Sequence, residues 1–266
     1  MTDYSRYAYK RKRRKGGGAV AVALVVAIAA VAFLVGNLLF GFVNFGGGAY
    51  SGASLPSANV WALEIETFNL KANALSKGRE VRVVGGAGFV TLCTNVDCEN
   101  GRENCWCVLY NCYTSKTEAE IALLGLGEEL KAKAVVREIS ILEQQVTLGN
   151  AKHNKSFNQI SQSFRDNFEL FSDSYKKYTS GAITAKEIAA DALLKYNEFQ
   201  QAVIEFDHIQ GNTQSEFYAK LLLASNKQLL ALYLLSMEGG SANFGSALAS
   251  CICSIIFAYQ EINNVK

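Results

Sequence analysis

The sequence predicts an α+β protein in which a membrane anchor is followed by a small sheet module and a helical bundle. Three observations support this prediction. A long uncharged apolar run follows a basic N-terminus, strand and helix patterns alternate over residues 60–141, and residues 142–266 show helical periodicity throughout. Half of the 266 residues are hydrophobic, which is enough for one or two domains with buried cores.

The positive charge of the chain is concentrated at its N-terminus. Residues 1–15 contain seven Lys and Arg residues and one acidic residue, whereas the rest of the chain contains 19 basic and 23 acidic residues. The body of the protein is therefore mildly acidic, although the whole chain has a formal charge of +2. Nucleic-acid binding would require positive charge on the folded surface, so we expect no nucleic-acid partner.

An apolar segment that is long enough to cross a membrane follows this basic tail. No charged residue occurs between Gly16 and Leu63, and residues 19–43 are almost entirely Ala, Val, Leu, Ile and Phe. A helix of this length exceeds the hydrocarbon core of about 30 Å. The basic flank favours a cytoplasmic tail over residues 1–18 and extracytoplasmic C-terminal domains. The alternative is a cleaved signal peptide, whose apolar region usually covers only about 7 to 15 residues.

A flexible linker and four strands are predicted after this segment. Residues 44–59 are rich in Gly, Ala and Ser and contain Pro56, so we expect a linker there. Beyond it, apolar and polar residues alternate or β-branched residues accumulate, as is typical of strands. The predicted strands are residues 60–68, 80–92 (one bent strand or two short ones), 105–113 and 133–141.

Two helices are predicted between these strands. The first covers residues 69–78 and ends at Gly78, a residue type that is common at helix C-termini. The second begins after Thr114 or Ser115, because Glu118 lies three residues after Ser115 and completes a capping box. The resulting βαββαβ order over residues 60–141 is the ferredoxin-like, or split βαβ, arrangement, in which helices cover one sheet face and the other face is open for binding.

The stretch "VLYNCYTSKTEA" (108–119) resembles the second half of a SPOR domain, the sporulation-related repeat. Both consist of an apolar strand that ends in an aromatic residue and leads into a helix start with Ser and Glu-Ala. The stretch "LEIETF" (63–68) is similar to the first strand of that family, with Glu64 and Glu66 in place of Gln and Gly. The resemblance implies that the open sheet face binds peptidoglycan glycan strands, as in anchored proteins of cell division and sporulation.

The resemblance and the alternation of strand residues together define an expected glycan platform on the open sheet face. Aromatic rings at Phe68 and Tyr113 would stack on sugar rings, and the polar members would form hydrogen bonds with sugar hydroxyls. The alternative is that these two aromatic residues only cover the ends of their strands. The expected platform residues are Glu64, Glu66, Phe68, Leu109, Asn111 and Tyr113.

Residues 142–266 are predicted to form an antiparallel four-helix bundle, because apolar residues recur every three or four positions in four segments. The breaks between segments fall at Gly181, Gly211 and Gly239. Thr184 and Glu187 have the spacing of a capping box at the start of the second helix. Residues 239–260 contain no charge, so a second membrane span is the alternative to a buried bundle helix there.

Five of the seven cysteines lie between residues 93 and 112. Asn100-Gly101 is a hairpin signal that would bring Cys98 close to Cys105, and these two are the candidates for a disulfide outside the cytoplasm. Free thiols and a metal site are the alternatives. No C-x-x-C pair occurs and neither histidine is near the cysteines in sequence, so no metal site is predicted.

We therefore expect a non-enzymatic, single-pass protein of the cell membrane that binds peptidoglycan outside the cytoplasm during cell division or sporulation. No catalytic constellation or cofactor motif is found in the sequence, so neither catalytic residues nor a cofactor are predicted. The bundle is expected to contact division or spore-envelope proteins. The alternative is a structural or adaptor subunit of an envelope complex, whose SPOR-like module contacts another protein. An enzyme with a helical catalytic domain is the third hypothesis.

Overall fold

A computed structural model describes residues 53–93, 105–146, 151–210 and 216–263. The predicted cytoplasmic tail, the membrane helix over residues 19–43 and the first part of the linker lie outside these described residues. The described part of the chain is a mixed α+β structure with seven helices and two antiparallel sheets. It belongs to one compact unit.

The secondary structure begins and ends with the following residues. The strands are β1 (Ala53–Leu55), β2 (Ala58–Phe68), β3 (Phe89–Cys93), β4 (Cys105–Tyr113), β5 (Val135–Ile141) and β6 (Gln144–Val146). The helices are α1 (Lys71–Val83), α2 (Lys116–Leu124), α3 (Glu128–Lys131), α4 (Ala151–Thr179), α5 (Ala185–Gln210), α6 (Glu216–Met237) and α7 (Phe244–Asn263). The larger sheet has the order β3-β4-β2-β5, and β1 pairs with β6 in the smaller one.

Several predicted elements are confirmed at their predicted positions. Strand β4 has the predicted range, and β2 and β5 begin within two residues of their predicted starts. Helix α2 begins after Ser115, whose side-chain oxygen accepts a hydrogen bond from the backbone N–H of Glu118 at 3.3 Å. This bond satisfies one of the backbone N–H groups that are unpaired at the start of a helix. Because the bond joins residues only three positions apart, the local sequence was sufficient to predict where α2 begins.

Helix α1 continues past Gly78, where the sequence pattern predicted its end. It runs to Val83, and β3 begins only at Phe89. The predicted strand over residues 80–92 is therefore corrected, because residues 80–83 belong to α1. A Cβ atom at Gly78 would lie 2.8 Å from the carbonyl oxygen of Gly88. The glycine therefore permits close packing of α1 on the loop that follows it, and this contact explains its presence better than a helix end does.

The predicted linker is corrected over residues 53–59, which form β1 and the start of β2. Strand β1 pairs with β6, in a region where the sequence pattern shows no strand. The Ser161 hydroxyl donates a hydrogen bond to the carbonyl oxygen of Ser54 at 3.1 Å, and the Tyr259 hydroxyl donates to that of Pro56 at 2.5 Å. These bonds to α4 and α7 attach the segment to the bundle.

The four long helices α4 to α7 confirm the helical prediction for the described residues from Ala151 onward, whereas β6 corrects it over residues 144–146. Thr184 and Glu187 form the predicted capping box: the Glu187 N–H donates to the Thr184 hydroxyl at 3.3 Å, and the Thr184 N–H donates to the Glu187 carboxylate at 2.8 Å. Aromatic side chains fill the core. The ring centroid of Phe164 in α4 lies 5.4 Å from that of Phe199 in α5 and 5.5 Å from that of Tyr259 in α7.

Helix α7 packs on the sheet face that the sequence analysis expected to be open. The ring centroids of Phe89 in β3 and Phe257 in α7 are 5.3 Å apart. The strand residues buried in the core shared with the bundle include Val60, Ala62, Cys107 and Leu109. Helices α1 and α2 cover the other face. The expectation of an open face is therefore corrected, because an apolar sheet face must be buried against another layer and the bundle supplies it.

Helix α7 is also the one helix in the described part of the chain whose length and apolar composition would allow it to cross a membrane, with a mean hydropathy of 1.3. In the structure 61% of that helix window is buried. Core helices of globular proteins have the same composition. A buried bundle helix, which was the alternative to a second membrane span over residues 239–260, therefore accounts for its apolar character.

Candidate functional site

The structure divides the expected glycan platform between the two faces of the larger sheet. Glu64 and Leu109 are direct neighbours in the pairing of β2 with β4, and directly paired residues share a face. Leu109 belongs to the core that the sheet shares with α7. Both side chains therefore lie on the bundle side, where both are buried.

The other four platform residues lie on the opposite face, toward α1 and α2. Phe68 and Tyr113 contact the hydrophobic core on that side. Glu66 and Asn111 are paired across the ladder with apolar residues of the same core. Asn111 and Tyr113 are almost fully buried, which removes them from any ligand that approaches the sheet from outside. The six residues therefore do not form one open surface, and this part of the platform prediction is corrected.

Two irregularities in the pairing of β2 with β4 explain this division. The register shifts between Leu63 and Glu64, and again between Glu64 and Glu66. Strict alternation would place both glutamates on one face. Each extra residue at a β-bulge instead reverses the face of the residues that follow it. Alternating apolar and polar residues contain no signal for these bulges, so the sequence pattern predicted the wrong faces.

A cleft of about 570 Å³ remains between the larger sheet and the C-terminal half of α7, and we refer to it as the sheet cleft. The strands form its floor, and Phe257 and Gln260 of α7 line one wall. Its volume lies within the range of about 300 to 1,000 Å³ that is typical of small-molecule sites. The polar residues that line it are Glu64, Arg137, Glu138, Ser140 and Gln260.

An ion pair between Glu64 and Arg137 forms the floor of the sheet cleft. The Arg137 Nε donates a hydrogen bond to Glu64 Oε2 at 2.8 Å, and Nη2 donates to Oε1 at 3.5 Å. The glutamate side chain is 5% exposed, whereas the arginine side chain is 41% exposed. Burial raises the pKa of Glu64, while the charge and hydrogen bond of Arg137 act against this rise. The pair presents a fixed carboxylate and a half-exposed guanidinium to the cleft.

Two cysteine thiols lie beside this carboxylate. Cys93 ends β3 and Cys107 lies in β4, and the pairing of these strands places both next to Glu64 on the bundle side. One carboxylate oxygen of Glu64 and the two Sγ atoms lie within 4.8 Å of one another, and all three residues are buried. A hydrogen bond with Cys93 raises the pKa of the Cys107 thiol, and burial raises it further.

The predicted disulfide between Cys98 and Cys105 stays a prediction, because Cys98 lies outside the described residues. Cys105 itself is disulfide-bonded. The free thiols in the described part of the chain are those of Cys93, Cys107, Cys112, Cys251 and Cys253. Both of the alternatives that the sequence left open, a disulfide and free thiols, are therefore represented among the cysteines.

Arg137, Cys93 and Cys107 are site residues that the sequence analysis did not identify. The one sequence signal for the two cysteines is the clustering of five cysteines between residues 93 and 112, and it does not single these two out. No local pattern could have placed Glu64 beside them or Arg137 against Glu64. Those contacts exist only because β2 lies between β4 and β5 in the sheet.

Comparison of the chain with family models, with curated proteins and with solved structures found no match. The resemblance to SPOR domains therefore depends on residues 63–68 and 108–119.

Proposed function

We propose that the chain is a structural or adaptor subunit of a cell-envelope complex, anchored in the cell membrane by residues 19–43 with its body outside the cytoplasm. The observation that carries this proposal is the packing of α7 on the sheet face that a glycan-binding module would leave open. A wall polymer requires a long continuous surface, and the sheet cleft of about 570 Å³ offers room for a small ligand.

The strand order supports a ferredoxin-like arrangement for residues 58–141. In the larger sheet the first and third strands in sequence, β2 and β4, are central, and β3 and β5 lie at the edges. Helices α1 and α2 follow the two central strands, which agrees with the split βαβ plan. We therefore describe this part as a SPOR-like module whose usual binding face is occupied by the C-terminal bundle.

An exposed apolar surface on α6 and β3 supports contact with another protein. Leu223, Leu230, Leu234 and Met237 recur at helical spacing along α6, and each is more than half exposed. Leu92 of β3 is also exposed and lines, with Leu230 and Leu234, a groove of about 530 Å³. We refer to these five residues as the α6 stripe. Exposed apolar surface of this kind marks interaction sites in many proteins.

The edge position of β3 supports an extended segment as the partner. An edge strand has backbone N–H and C=O groups without a neighbouring strand, and a partner can add a strand there while its apolar side chains enter the adjacent groove. Side chains of an added strand alternate between its two faces, so the apolar groove favours a segment with apolar residues at alternate positions. We propose that such a segment of another envelope protein is the ligand of the α6 stripe.

Site-specific photo-crosslinking in cells tests this proposal. A photoreactive residue is introduced at Leu92 or Leu230, and we expect one discrete crosslinked product that contains a second envelope protein. The matched control is Leu193 of α5, which is 47% exposed and lies outside the α6 stripe, and it should give no such product. Absence of a product at both test positions would contradict the adaptor proposal.

Binding of peptidoglycan glycan strands is a second candidate function, in which the sheet cleft holds a short part of a strand, and the polar lining of the cleft favours it. Arg137, Glu138 and Gln260 offer hydrogen-bond partners for sugar hydroxyls, and Phe257 offers an aromatic wall. The test is co-sedimentation of the full chain with purified sacculi. We expect the full chain to bind sacculi and the variants Arg137→Ala and Gln260→Ala to bind them more weakly. Absence of binding by the full chain would contradict this candidate, and so would equal binding by the full chain and both variants.

A further inference from the structure

Three potential metal ligands from three different strands meet at the floor of the sheet cleft. They are the carboxylate of Glu64 in β2, the thiol of Cys93 at the end of β3 and the thiol of Cys107 in β4. Their ligand atoms lie within 4.8 Å of one another, and all three side chains are buried. Strand pairing fixes their backbones, so the group is part of the rigid sheet.

The spacing of these atoms suits a small tetrahedral ion after a modest contraction. Zinc binds thiolate sulfur at about 2.3 Å and carboxylate oxygen at about 2.0 to 2.2 Å, which places neighbouring ligand atoms about 3.8 Å apart or slightly less. Two sulfur ligands with one oxygen ligand favour zinc over magnesium or calcium, which prefer oxygen ligands alone.

The charges around the group also favour a divalent ion. Two thiolates and one carboxylate would carry three negative charges, and a zinc ion together with the Arg137 guanidinium balances them. Arg137 holds the carboxylate through hydrogen bonds of 2.8 and 3.5 Å, with the longer one to Oε1. Hydrogen-bonded partners of this type orient metal-binding carboxylates in many metal sites. The binding of zinc would release the two thiol protons to solvent.

We propose that Glu64, Cys93 and Cys107 bind one zinc ion and that the fourth coordination position faces the sheet cleft. Zinc sites with three protein ligands keep the fourth position for water or for another small ligand. The cleft provides the space for such a ligand, next to Arg137 and Gln260. The zinc proposal depends on the buried ligand group and the crosslinking test depends on the α6 stripe, so either can fail alone. Leu92 belongs to the stripe and also lines the sheet cleft, and Leu230 is therefore the crosslinking position that leaves the zinc ligands undisturbed.

Metal analysis of the full chain tests the proposal, with the protein purified in detergent, the disulfide of Cys105 intact and the free thiols reduced. After equilibration with zinc and removal of the excess, we expect one zinc ion per chain by elemental mass spectrometry. Cys93→Ser and Cys107→Ser should retain less than about a tenth of it, because each removes a thiolate ligand. Arg137→Gln should weaken zinc binding by about 10- to 100-fold, because it removes the group that orients the carboxylate. Cys112→Ser is the matched control, a buried thiol outside the group, and should bind as the parent chain does.

A second measurement does not depend on the folding of any variant. In the unmodified chain, zinc should slow the alkylation of Cys93 and Cys107, as measured on their peptides, and leave the alkylation of Cys251 unchanged. Cobalt bound in place of zinc should show thiolate-to-cobalt charge-transfer absorption. A reduced chain that binds no zinc, or a Cys93→Ser/Cys107→Ser double variant that binds zinc as well as the parent, would overturn the proposal.

Discussion

The Sγ atoms of Cys112 in β4 and Cys253 in α7 lie 3.6 Å apart, and this contact joins the sheet directly to the bundle. Both thiols are free and buried. The two residues are 141 positions apart in sequence, so they connect the sheet module to the last helix of the chain. The contact shows how closely α7 is fitted to the strands beneath it.

Oxidation should convert this contact into a disulfide that stabilises the protein. A disulfide bond of about 2.0 Å requires an approach of about 1.6 Å, and closing so long a loop reduces the entropy of the unfolded chain. We expect a gain of about 2 to 5 kcal/mol in the free energy of unfolding, measured by urea denaturation with and without reductant. In Cys253→Ser this gain should be lost, and any remaining effect of the reductant comes from the other cysteines, such as the disulfide-bonded Cys105. Peptide mapping that finds Cys112 still free after oxidation would contradict this prediction.

Removal of one bundle side chain should destabilise the sheet as well. Phe164 is fully buried between α4, α5 and α7, and Phe164→Ala should cost about 3 to 5 kcal/mol. Trp61 and Trp106 are the two tryptophans of the chain and both lie in strands, so their fluorescence reports on the sheet. Because the sheet and the bundle share a core, the fluorescence and circular dichroism midpoints should fall together.

Leu193→Ala is the control for this experiment, because its side chain is half exposed and its loss should change stability by less than about 0.5 kcal/mol. A Phe164→Ala variant in which circular dichroism shifts but tryptophan fluorescence does not would indicate two independently unfolding parts. That result would contradict the shared core.

Glu64 should make the stability of the metal-free protein depend on pH. Burial raises its pKa above the ordinary value of 4.5, although Arg137 opposes the rise. The folded protein then holds the proton more tightly than the unfolded chain, so this contribution to stability is full below pH 4.5 and is lost as the pH rises through the folded-state pKa. The free energy of unfolding of the parent, minus that of Glu64→Gln, should therefore fall from pH 4.5 toward neutrality when chelator is present. A difference that rises with pH would mean that Arg137 has the larger effect.

Two glycines of the loop between α1 and β3 should differ in their tolerance of alanine. Gly85 and Gly88 both have positive φ, +88° and +52°, so alanine at either position costs about 1 to 2 kcal/mol of backbone strain. At Gly88 a Cβ would also collide with the carbonyl oxygen of Gly78, whereas at Gly85 it would meet nothing within 4 Å. Gly88→Ala should therefore cost clearly more in the free energy of unfolding, and equal costs would contradict the tight packing of α1 on this loop.

Local sequence patterns were sufficient for most elements and for several of their ends. The start of α2 at Ser115 and the capping box of Thr184 with Glu187 depend on hydrogen bonds between residues three positions apart, so the information lies within one helical turn. The end predicted at Gly78 failed because that glycine serves a contact with Gly88. A pattern that considers only neighbouring residues cannot distinguish a helix end from such a contact.

The sequence by itself determined most of the helices and strands, because hydrophobic periodicity and capping are local properties of the chain. It did not determine β1 and β6, which are short and depend on pairing with each other. Only the tertiary structure decided which faces of those segments meet. Bulges around Glu64 set the faces of β2, and α7 covered the sheet face that the pattern left open. Packing also brought Glu64 to Cys93 and Cys107. These contacts join residues that are far apart in sequence, and they form because apolar surfaces are buried against one another, a process that depends on the shape of the whole chain.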